Sequence, residues 1–290
     1  MKSKLILCSA VAAFILAASN LNAQTAPATK SVKATSAVRI YKMPKISNQV
    51  VSSNHLFTAG YANAFIGGLY DGFFPYWKLK QHGNFGLGAP DKLDGELLVL
   101  NGKIYQTQHT GKTFQVNDKD LTPFAVVNFF HPDKTIKLEK QLNKTALYAY
   151  LDSITHNSNG VYAIHLKGSF KYIKTRAFPA VTDKPYTPLA QLLDKQHFFE
   201  YKSISGDFVG YNLPSYMEGA NITGYHFHFL SADTNSGGHV IDFITDNVTI
   251  EIDYLSNFTV DLPQTADFKA FDFNKDRSDE VKSVETGKKN

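Results

Sequence analysis

The sequence predicts a mixed α/β chain of the α+β type, with mostly antiparallel β-sheets in two lobes and a few helices. The 290 residues are 43% hydrophobic and only 19% charged, which is typical of a folded globular protein. The chain contains 22 Phe and 15 Tyr residues, and aromatic residues are enriched in β-strands. Short extended patterns also outnumber helical ones along the chain, which favours sheets over a helical bundle.

The first 23 residues have the pattern of a secretory signal peptide. Lys2 and Lys4 precede an apolar run over residues 5–18, and Ala23 offers a small residue at which a signal peptidase would cut. The run is too short for a typical membrane span, although an uncleaved anchor is the alternative. We therefore expect an exported protein, periplasmic or secreted, with the signal peptide cleaved near Ala23.

Cleavage would also remove the only cysteine, Cys8. Lipidation of Cys8 is disfavoured because Leu7 stands where a small residue should precede a lipidated cysteine. A mature chain without cysteine would hold a metal only through His, Asp or Glu. Loss of the two signal lysines lowers the formal charge of +4 to about +2, which indicates neither nucleic acid nor an anionic membrane as a partner.

Four regions are expected along the chain. Residues 1–23 form the signal peptide, and residues 24–50, rich in Ala, Thr, Ser, Lys and Val, form a linker or N-terminal extension with a first extended segment near residues 38–41. Residues 51–180 form an N-terminal α/β lobe. Residues 181–290 form a C-terminal β-rich lobe, on whose sheet or barrel a metal site is expected.

The clearest local element is a hairpin. Residues 97–100 and 103–106 flank Asn101-Gly102, a pair that tolerates the positive φ angles of a tight two-residue turn. Helices are predicted at 54–71, ending in a glycine-rich turn, at 144–154, at 189–201 and near the C-terminus. The remaining predicted strands are 124–130, two strands within 161–176 that join near Gly168, and then 222–230, 239–243, 248–254 and 258–262.

Three histidines carry the strongest chemical signal. His226 and His228 alternate with Phe227 and Phe229, so in a strand both histidines point to one face and both phenylalanines to the other. If the chain folds back over residues 231–238, His239 lies opposite His228, at the separation of about 5 Å that is usual for cross-strand neighbours. The pattern therefore predicts three imidazoles on one sheet face.

Three imidazoles suit zinc or another late first-row ion better than calcium or magnesium. Three protein ligands leave a coordination position open, as in catalytic rather than structural zinc sites. A chance H-x-H on an exposed sheet face is the alternative. A cupin also uses H-x-H and a later histidine, but it normally adds a glutamate shortly after the pair, where this chain has Ser231, Ala232 and Asp233.

Several separated motifs, in order, resemble the α-acetolactate decarboxylase family over roughly residues 54–285, as one family domain. They are Gly67-Gly68-Leu69-Tyr70-Asp71-Gly72, His82-Gly83-Asn84-Phe85-Gly86-Leu87-Gly88, Leu93-Asp94-Gly95-Glu96-Leu97 with the Asn101-Gly102 hairpin, Gly168-Ser169-Phe170 with Lys174-Thr175-Arg176 and Lys184-Pro185-Tyr186, and the histidine segment with Gly224, Gly237 and Gly238.

The resemblance implies roles for six residues and a homodimer. It implies that His226, His228 and His239 ligate zinc, and that Glu96, Arg176 and Glu285 are catalytic, with Glu280 close to the last of these. One departure is Ala89, where the family commonly has Thr, so a hydroxyl that would orient substrate or arginine is missing. The aromatic residues Tyr61, Phe65, Tyr70 and Phe85 are candidates for the lining of a small apolar pocket.

The implied activity is zinc-dependent decarboxylation of 2-acetolactate to acetoin and carbon dioxide, through a metal-stabilised enediolate. Zinc would act as a Lewis acid on the ketone and hydroxyl oxygens, Arg176 would hold the carboxylate by a two-pronged contact, and Glu96 or Glu285 would supply the proton. Two alternatives stay open at this point. One is a cupin-like metal dioxygenase or isomerase, and the other is a catalytically inactive exported binding protein with the same fold.

Overall fold

A computed structural model describes residues 54–288, so the predicted signal peptide, linker and first extended segment lie outside the described residues. The strands, in chain order, are β1 (His55–Ala59), β2 (Phe74–Pro75), β3 (Phe85–Ala89), β4 (Glu96–Leu100), β5 (Lys103–Thr107), β6 (Thr113–Gln115), β7 (Leu121–Thr122), β8 (Phe124–Asn128), β9 (Lys134–Leu138), β10 (Val161–Ala177), β11 (His197–Leu213), β12 (Gly224–Ser231), β13 (Gly237–Leu255) and β14 (Asn257–Asp261).

Five short α-helices accompany these strands. They are α1 (Ala62–Ile66), α2 (Tyr76–Leu79), α3 (Lys144–Thr155), α4 (Ala266–Ala270) and α5 (Ser278–Thr286). Among residues 54–288, none of the helices has the length and apolar character needed to cross a membrane. The predicted α+β class, with mostly antiparallel strands and few helices, is confirmed.

The strands form two large sheets. The order in the seven-stranded sheet is β14-β1-β8-β3-β4-β5-β6, and that in the five-stranded sheet is β10-β11-β12-β13-β9. A further pairing of β10 with β13 closes the second sheet on itself, while β2 and β7 form a small separate pair. The predicted boundary near residue 180 falls between β10 and β11, which are hydrogen-bonded neighbours from Tyr162–Asn212 to Ala177–His197.

The core has two main parts that use opposite faces of the five-stranded sheet. Ile164, Leu166, Phe208 and Phe227 pack with Leu147 of α3 on one side. Ala163, Val209 and Tyr211 on the other face belong to a second cluster, which also contains Leu87 and Val126 of the seven-stranded sheet. Burying the apolar face of each sheet in this way is the main stabilising contribution.

Local signals predicted several elements correctly. The hairpin is β4 and β5 joined at Asn101 and Gly102, and both residues have the positive φ angles that the turn requires. The helix predicted at 144–154 is α3, whose N-cap Asn143 accepts a hydrogen bond from the Ala146 backbone N–H. The C-terminal helix predicted in the tail is α5.

Other expectations were wrong. Residues 189–201 form only a 3₁₀ turn at Leu189–Gln191 before β11 begins at His197, because pairing with β10 overrides the helical spacing. The helix expected over 54–71 is limited to α1, preceded by β1. The two strands expected within 161–176 are one strand, which continues through Gly168 at φ +150°, where an added Cβ would lie 2.1 Å from the Asn247 carbonyl oxygen.

Candidate metal centre and active site

The three histidines predicted from the sequence meet on one face of the five-stranded sheet. His226 and His228 project from β12, and β13 places His239 directly opposite His228. The Nε2 atom of His226 lies 3.2 Å from Nε2 of His228 and 3.1 Å from Nδ1 of His239. One ring nitrogen from each of the three lies within 4.8 Å of the others, and all three residues are buried. The predicted register is therefore confirmed.

The glycine pair before His239 allows this close arrangement. Gly238 has φ +122°, and a Cβ there would lie 2.8 Å from the carbonyl oxygen of Arg176. Arg176 pairs with His239 across β10 and β13. At this point β13 is paired with β12 on one side and with β10 on the other. The three strands therefore place His228, His239 and Arg176 side by side in one row.

A backbone hydrogen bond fixes the orientation of His228. Its Nδ1 atom lies 2.8 Å from the carbonyl oxygen of Leu97, so Nε2 is the nitrogen that faces the other imidazoles. His239 has the reverse arrangement, because Nδ1 faces His226 and Nε2 lies 3.4 Å from the backbone oxygen of Glu285. Such outer hydrogen bonds set the tautomer and direction of metal-binding histidines.

The structure brings Glu96 and Arg176 together next to the histidines. Glu96 begins β4 in the seven-stranded sheet, and its Oε1 accepts a 2.5 Å hydrogen bond from Nη1 of Arg176. Its other oxygen, Oε2, lies 3.4 Å from Nε2 of His228. Nη2 of Arg176 donates to the Val284 carbonyl oxygen at 3.3 Å, and its buried Nε has no hydrogen-bond partner among residues 54–288.

Glu285 reaches the same site from helix α5. Its Oε2 lies 3.8 Å from Nε2 of His239 and 3.9 Å from Nε2 of His226. Glu280, the neighbouring candidate, instead pairs with Lys275 and Arg277. The structure therefore places Glu285, and not Glu280, beside the histidines.

Burial controls the protonation of the site. It lowers the pKa of His226 to about 3 and the pKa values of His228 and His239 well below the usual range, with the charge of Arg176 acting in the same direction. The imidazoles are therefore neutral near pH 7 and have lone pairs available for a metal. Burial also raises the pKa of Glu96 and of Glu285 to about 7, against the opposing effect of Arg176. Either carboxyl can therefore hold or release a proton near neutral pH.

The histidines, Glu96, Arg176 and Glu285 line one cavity of about 350 Å³, counting space open to solvent. Ala89, the departure from the family pattern, is also part of its wall. The rest of the lining is largely apolar and comes from separate parts of the chain that no local sequence signal connects. Besides Phe65, it consists of residues that the sequence did not predict as lining, namely Ile66, Gly88, Leu93, Phe124, Leu189, Ile222 and Val284.

The four aromatic residues that were predicted as pocket lining lie in different environments. Phe65 lines the metal cavity, whereas Tyr61 lines a neighbouring cavity. Tyr70 is fully buried and donates a hydrogen bond to the Thr187 carbonyl oxygen. Phe85 packs against Phe130 in the core and lines neither of these two cavities.

The fold and site together define an enzyme with a buried three-histidine group that can hold a metal ion, open to a cavity with two carboxyl groups and an arginine. A family model described as alpha-acetolactate decarboxylase matches residues 56–275. The alpha-acetolactate decarboxylase of Methanosarcina mazei is 37% identical over 243 residues, which cover 84% of this chain and 83% of the relative. That of Bacillus subtilis is 36% identical, covering 76% of this chain and 85% of the relative.

The fold agrees with this similarity. The crystal structure of alpha-acetolactate decarboxylase from Bacillus subtilis strain 168 superposes with a TM-score of 0.77 at 31% identity, covering 80% of this chain and 99% of that one. The chain belongs to the alpha-acetolactate decarboxylase family and is thus a carboxy-lyase. This assignment favours the decarboxylase hypothesis over the cupin-like alternative.

Proposed function

We propose that this protein catalyses the zinc-dependent decarboxylation of 2-acetolactate to acetoin and carbon dioxide. The observation that carries the proposal is the convergence of three buried imidazoles with Glu96, Arg176 and Glu285 in one cavity. The substrate named for the relatives supports the choice of 2-acetolactate.

The donor set fits zinc. Tetrahedral zinc has bonds to histidine nitrogen of about 2.0–2.1 Å, which puts two such nitrogens roughly 3.3 Å apart. The two separations at His226, 3.1 Å and 3.2 Å, are close to this value. Bound zinc supplies a Lewis acid that stabilises negative charge developing on substrate oxygens.

Arg176 provides the positive charge that binds the substrate carboxylate. Its Nη1 and Nη2 are both engaged, by Glu96 and by the Val284 carbonyl oxygen, while its Nε has no partner among the described residues. A guanidinium has five N–H donors, so donors beyond those to Glu96 and Val284 remain for a two-pronged contact with the substrate carboxylate.

Decarboxylation leaves an electron pair that moves into the adjacent ketone, and a proton must then be delivered to carbon. Glu96 and Glu285 are the two carboxyl groups in the cavity, and burial raises the pKa of each to about 7. A carboxyl group with a pKa near the working pH is well suited to general acid catalysis. We assign proton delivery to one of these two groups.

We also propose that the protein is exported and acts as a homodimer. Export is supported by Lys2, Lys4 and the apolar run before Ala23. Cell fractionation with N-terminal sequencing of the mature chain tests the first proposal. Sedimentation equilibrium of that chain tests the second, and a monomer at micromolar concentration contradicts it.

The direct test of function is acetoin release from racemic 2-acetolactate by the purified mature chain, before chelation, after chelation and after addition of zinc. We expect acetoin to form faster than by spontaneous decay, to stop with chelator and to resume with zinc. Restoration by another divalent ion but not by zinc would contradict the choice of metal. A folded, zinc-loaded chain without turnover would support the inactive binding-protein alternative.

A further inference from the structure

The metal cavity has a polar part and an apolar part. The polar part consists of the histidines, Glu96, Arg176 and Glu285, while Phe65, Phe124 and Ile222 are among the apolar residues that complete the wall. In 2-acetolactate the carboxylate, the hydroxyl and a methyl group share one tetrahedral carbon, C2. The fourth substituent of C2 is the acetyl group. If the carboxylate, the hydroxyl and the acetyl carbonyl face the polar part, the alkyl group on C2 points away from it, toward the apolar residues.

A second cavity of about 470 Å³, also counting space open to solvent, lies beside the first. Its lining is largely apolar and includes Tyr61, Leu69, Phe73 and Phe268. Phe65 lines both cavities, and among residues 54–288 it alone is shared by the two linings. Phe65 is therefore the residue at the partition between the metal cavity and additional apolar space.

Two neighbouring aromatic rings hold the Phe65 side chain in place. Phe65 is 6% exposed on helix α1, its ring stacks on Phe124 at a centroid distance of 5.7 Å, and Tyr70 packs edge-on at 5.6 Å. Rings packed in this way on two sides do not move aside at low cost. The apolar end of the metal cavity consequently has a fixed size.

We propose that Phe65 sets the largest C2 alkyl group that the enzyme accepts, by closing the metal cavity against the second cavity. This inference rests on the proposed decarboxylase function. One methylene that fits or clashes in an apolar pocket changes discrimination by about 10–200-fold. A shortened side chain at residue 65 joins the two cavities and gives longer alkyl groups a place to bind.

The test compares kcat/KM for 2-acetolactate with kcat/KM for the homologue that carries propyl in place of methyl on C2. In Phe65→Ala we expect the propyl-to-methyl ratio to rise by about tenfold or more relative to wild type. Phe65→Leu, which removes less volume, gives a smaller rise in the same direction. It also keeps the inference testable if Phe65→Ala does not fold.

Phe73→Leu is the matched control. Phe73 lines the second cavity, but it does not line the metal cavity. The same Phe-to-Leu change there enlarges the second cavity without opening the partition, so the propyl-to-methyl ratio should stay within about threefold of wild type. A second control fills the second cavity by adding Leu69→Trp to Phe65→Ala, and this should reverse the gain.

The outcomes separate this inference from the proposed function. Wild-type protein that forms no acetoin contradicts the proposed function itself. Active wild type with an unchanged ratio in both Phe65 variants overturns the role of Phe65. An equal rise in Phe73→Leu, or a rise that Leu69→Trp does not reverse, also overturns it, because opening of the partition would then not explain the result.

Discussion

Two buried histidine sites lie on the same face of the five-stranded sheet, and they differ in what their nitrogens contact. Val209 of β11 pairs with His228 on one side and with His165 of β10 on the other. Nδ1 of His165 lies 2.9 Å from Glu251, and its Nε2 lies 2.8 Å from Asp207. Both ring nitrogens of His165 are therefore bonded to carboxylates, whereas His226, His228 and His239 turn nitrogens toward one another.

The difference shows that burial alone does not make a histidine a ligand. His165 and His226 are equally buried, at 8% exposure each. His165 has no lone pair free for an ion, because each nitrogen already has a carboxylate partner. The three clustered imidazoles are neutral, and their converging nitrogens lie 3.1–3.2 Å from one another at His226 but 3.4 Å or more from the carboxylates of Glu96 and Glu285. The convergence of lone pairs, and not burial, is what enables the three-histidine group to hold a metal ion.

The largest expected effect tests this comparison directly. His228→Ala should lose zinc and lower kcat/KM by about 1,000-fold or more, because bound metal contributes several kcal/mol of transition-state stabilisation. His165→Gln should keep one zinc per chain and activity within about threefold of wild type. Metal analysis with acetoin assays measures both, and circular dichroism checks folding. Zinc loss in His165→Gln would contradict the distinction between the sites.

The next effect concerns Glu96, the carboxyl group beside the three histidines. Burial raises the pKa of Glu96 to about 7, above its unfolded value of about 4.3. Between these values the folded metal-free chain holds a proton that the unfolded chain has released, so stability falls as pH rises through this window. Glu96→Gln removes this titration. We expect metal-free Glu96→Gln to match wild type in stability near pH 4 and to exceed it by up to roughly 4 kcal/mol near pH 8.

Urea unfolding of the chelated proteins at several pH values measures this difference. Glu280→Gln is the control, and the opposite change in the free energy of unfolding is expected for it. Burial alone would raise the pKa of Glu280, but hydrogen bonds from Lys275 and Arg277 outweigh it and lower the pKa. Loss of the Glu280 carboxylate should therefore lower the free energy of unfolding near neutral pH. A Glu96→Gln variant that is less stable than wild type at about pH 8 would refute a raised pKa at Glu96.

A smaller effect is expected at His165, the buried histidine outside the three-histidine group. His165→Leu leaves Asp207 and Glu251 without their shared partner, and both are only partly exposed. We expect a loss of about 1–3 kcal/mol in the free energy of unfolding, with zinc content unchanged. Urea unfolding of zinc-loaded protein provides the measurement. Unchanged stability would mean that the two carboxylates are satisfied by solvent after the substitution.

The smallest effect is expected at Ala89. Ala89→Thr returns a hydroxyl to the wall of the metal cavity, and a hydrogen bond of about 0.5–1.5 kcal/mol corresponds to roughly a 2–10-fold gain in kcat/KM. Ala89→Val, which adds similar volume without the hydroxyl, is the control. Equal kinetics for the Thr and Val variants would show that the hydroxyl has no role, since only volume would then matter.

Much of the histidine site follows from local sequence rules. The two-residue period of a strand places His226 and His228 on one face, and the glycine pair allows β13 to return with His239 opposite His228. Asn101 and Gly102 determine the turn of the β4–β5 hairpin in the same local way. The helix expected over 189–201 was wrong, because the spacing of its leucines carries no information about β10, which pairs with His197 and the following residues.

The sequence by itself determined the alternation of ligands and core residues, the tight hairpin turn and helix α3, since each depends on neighbours in the chain. Only the tertiary structure decided that Glu96 from one sheet and Glu285 from a C-terminal helix meet at the same histidines. It also decided that Phe65 stands between two cavities, and that His165 is held by carboxylates. These arrangements depend on how the sheets and helices pack across long stretches of chain, and short-range periodicity does not encode that packing.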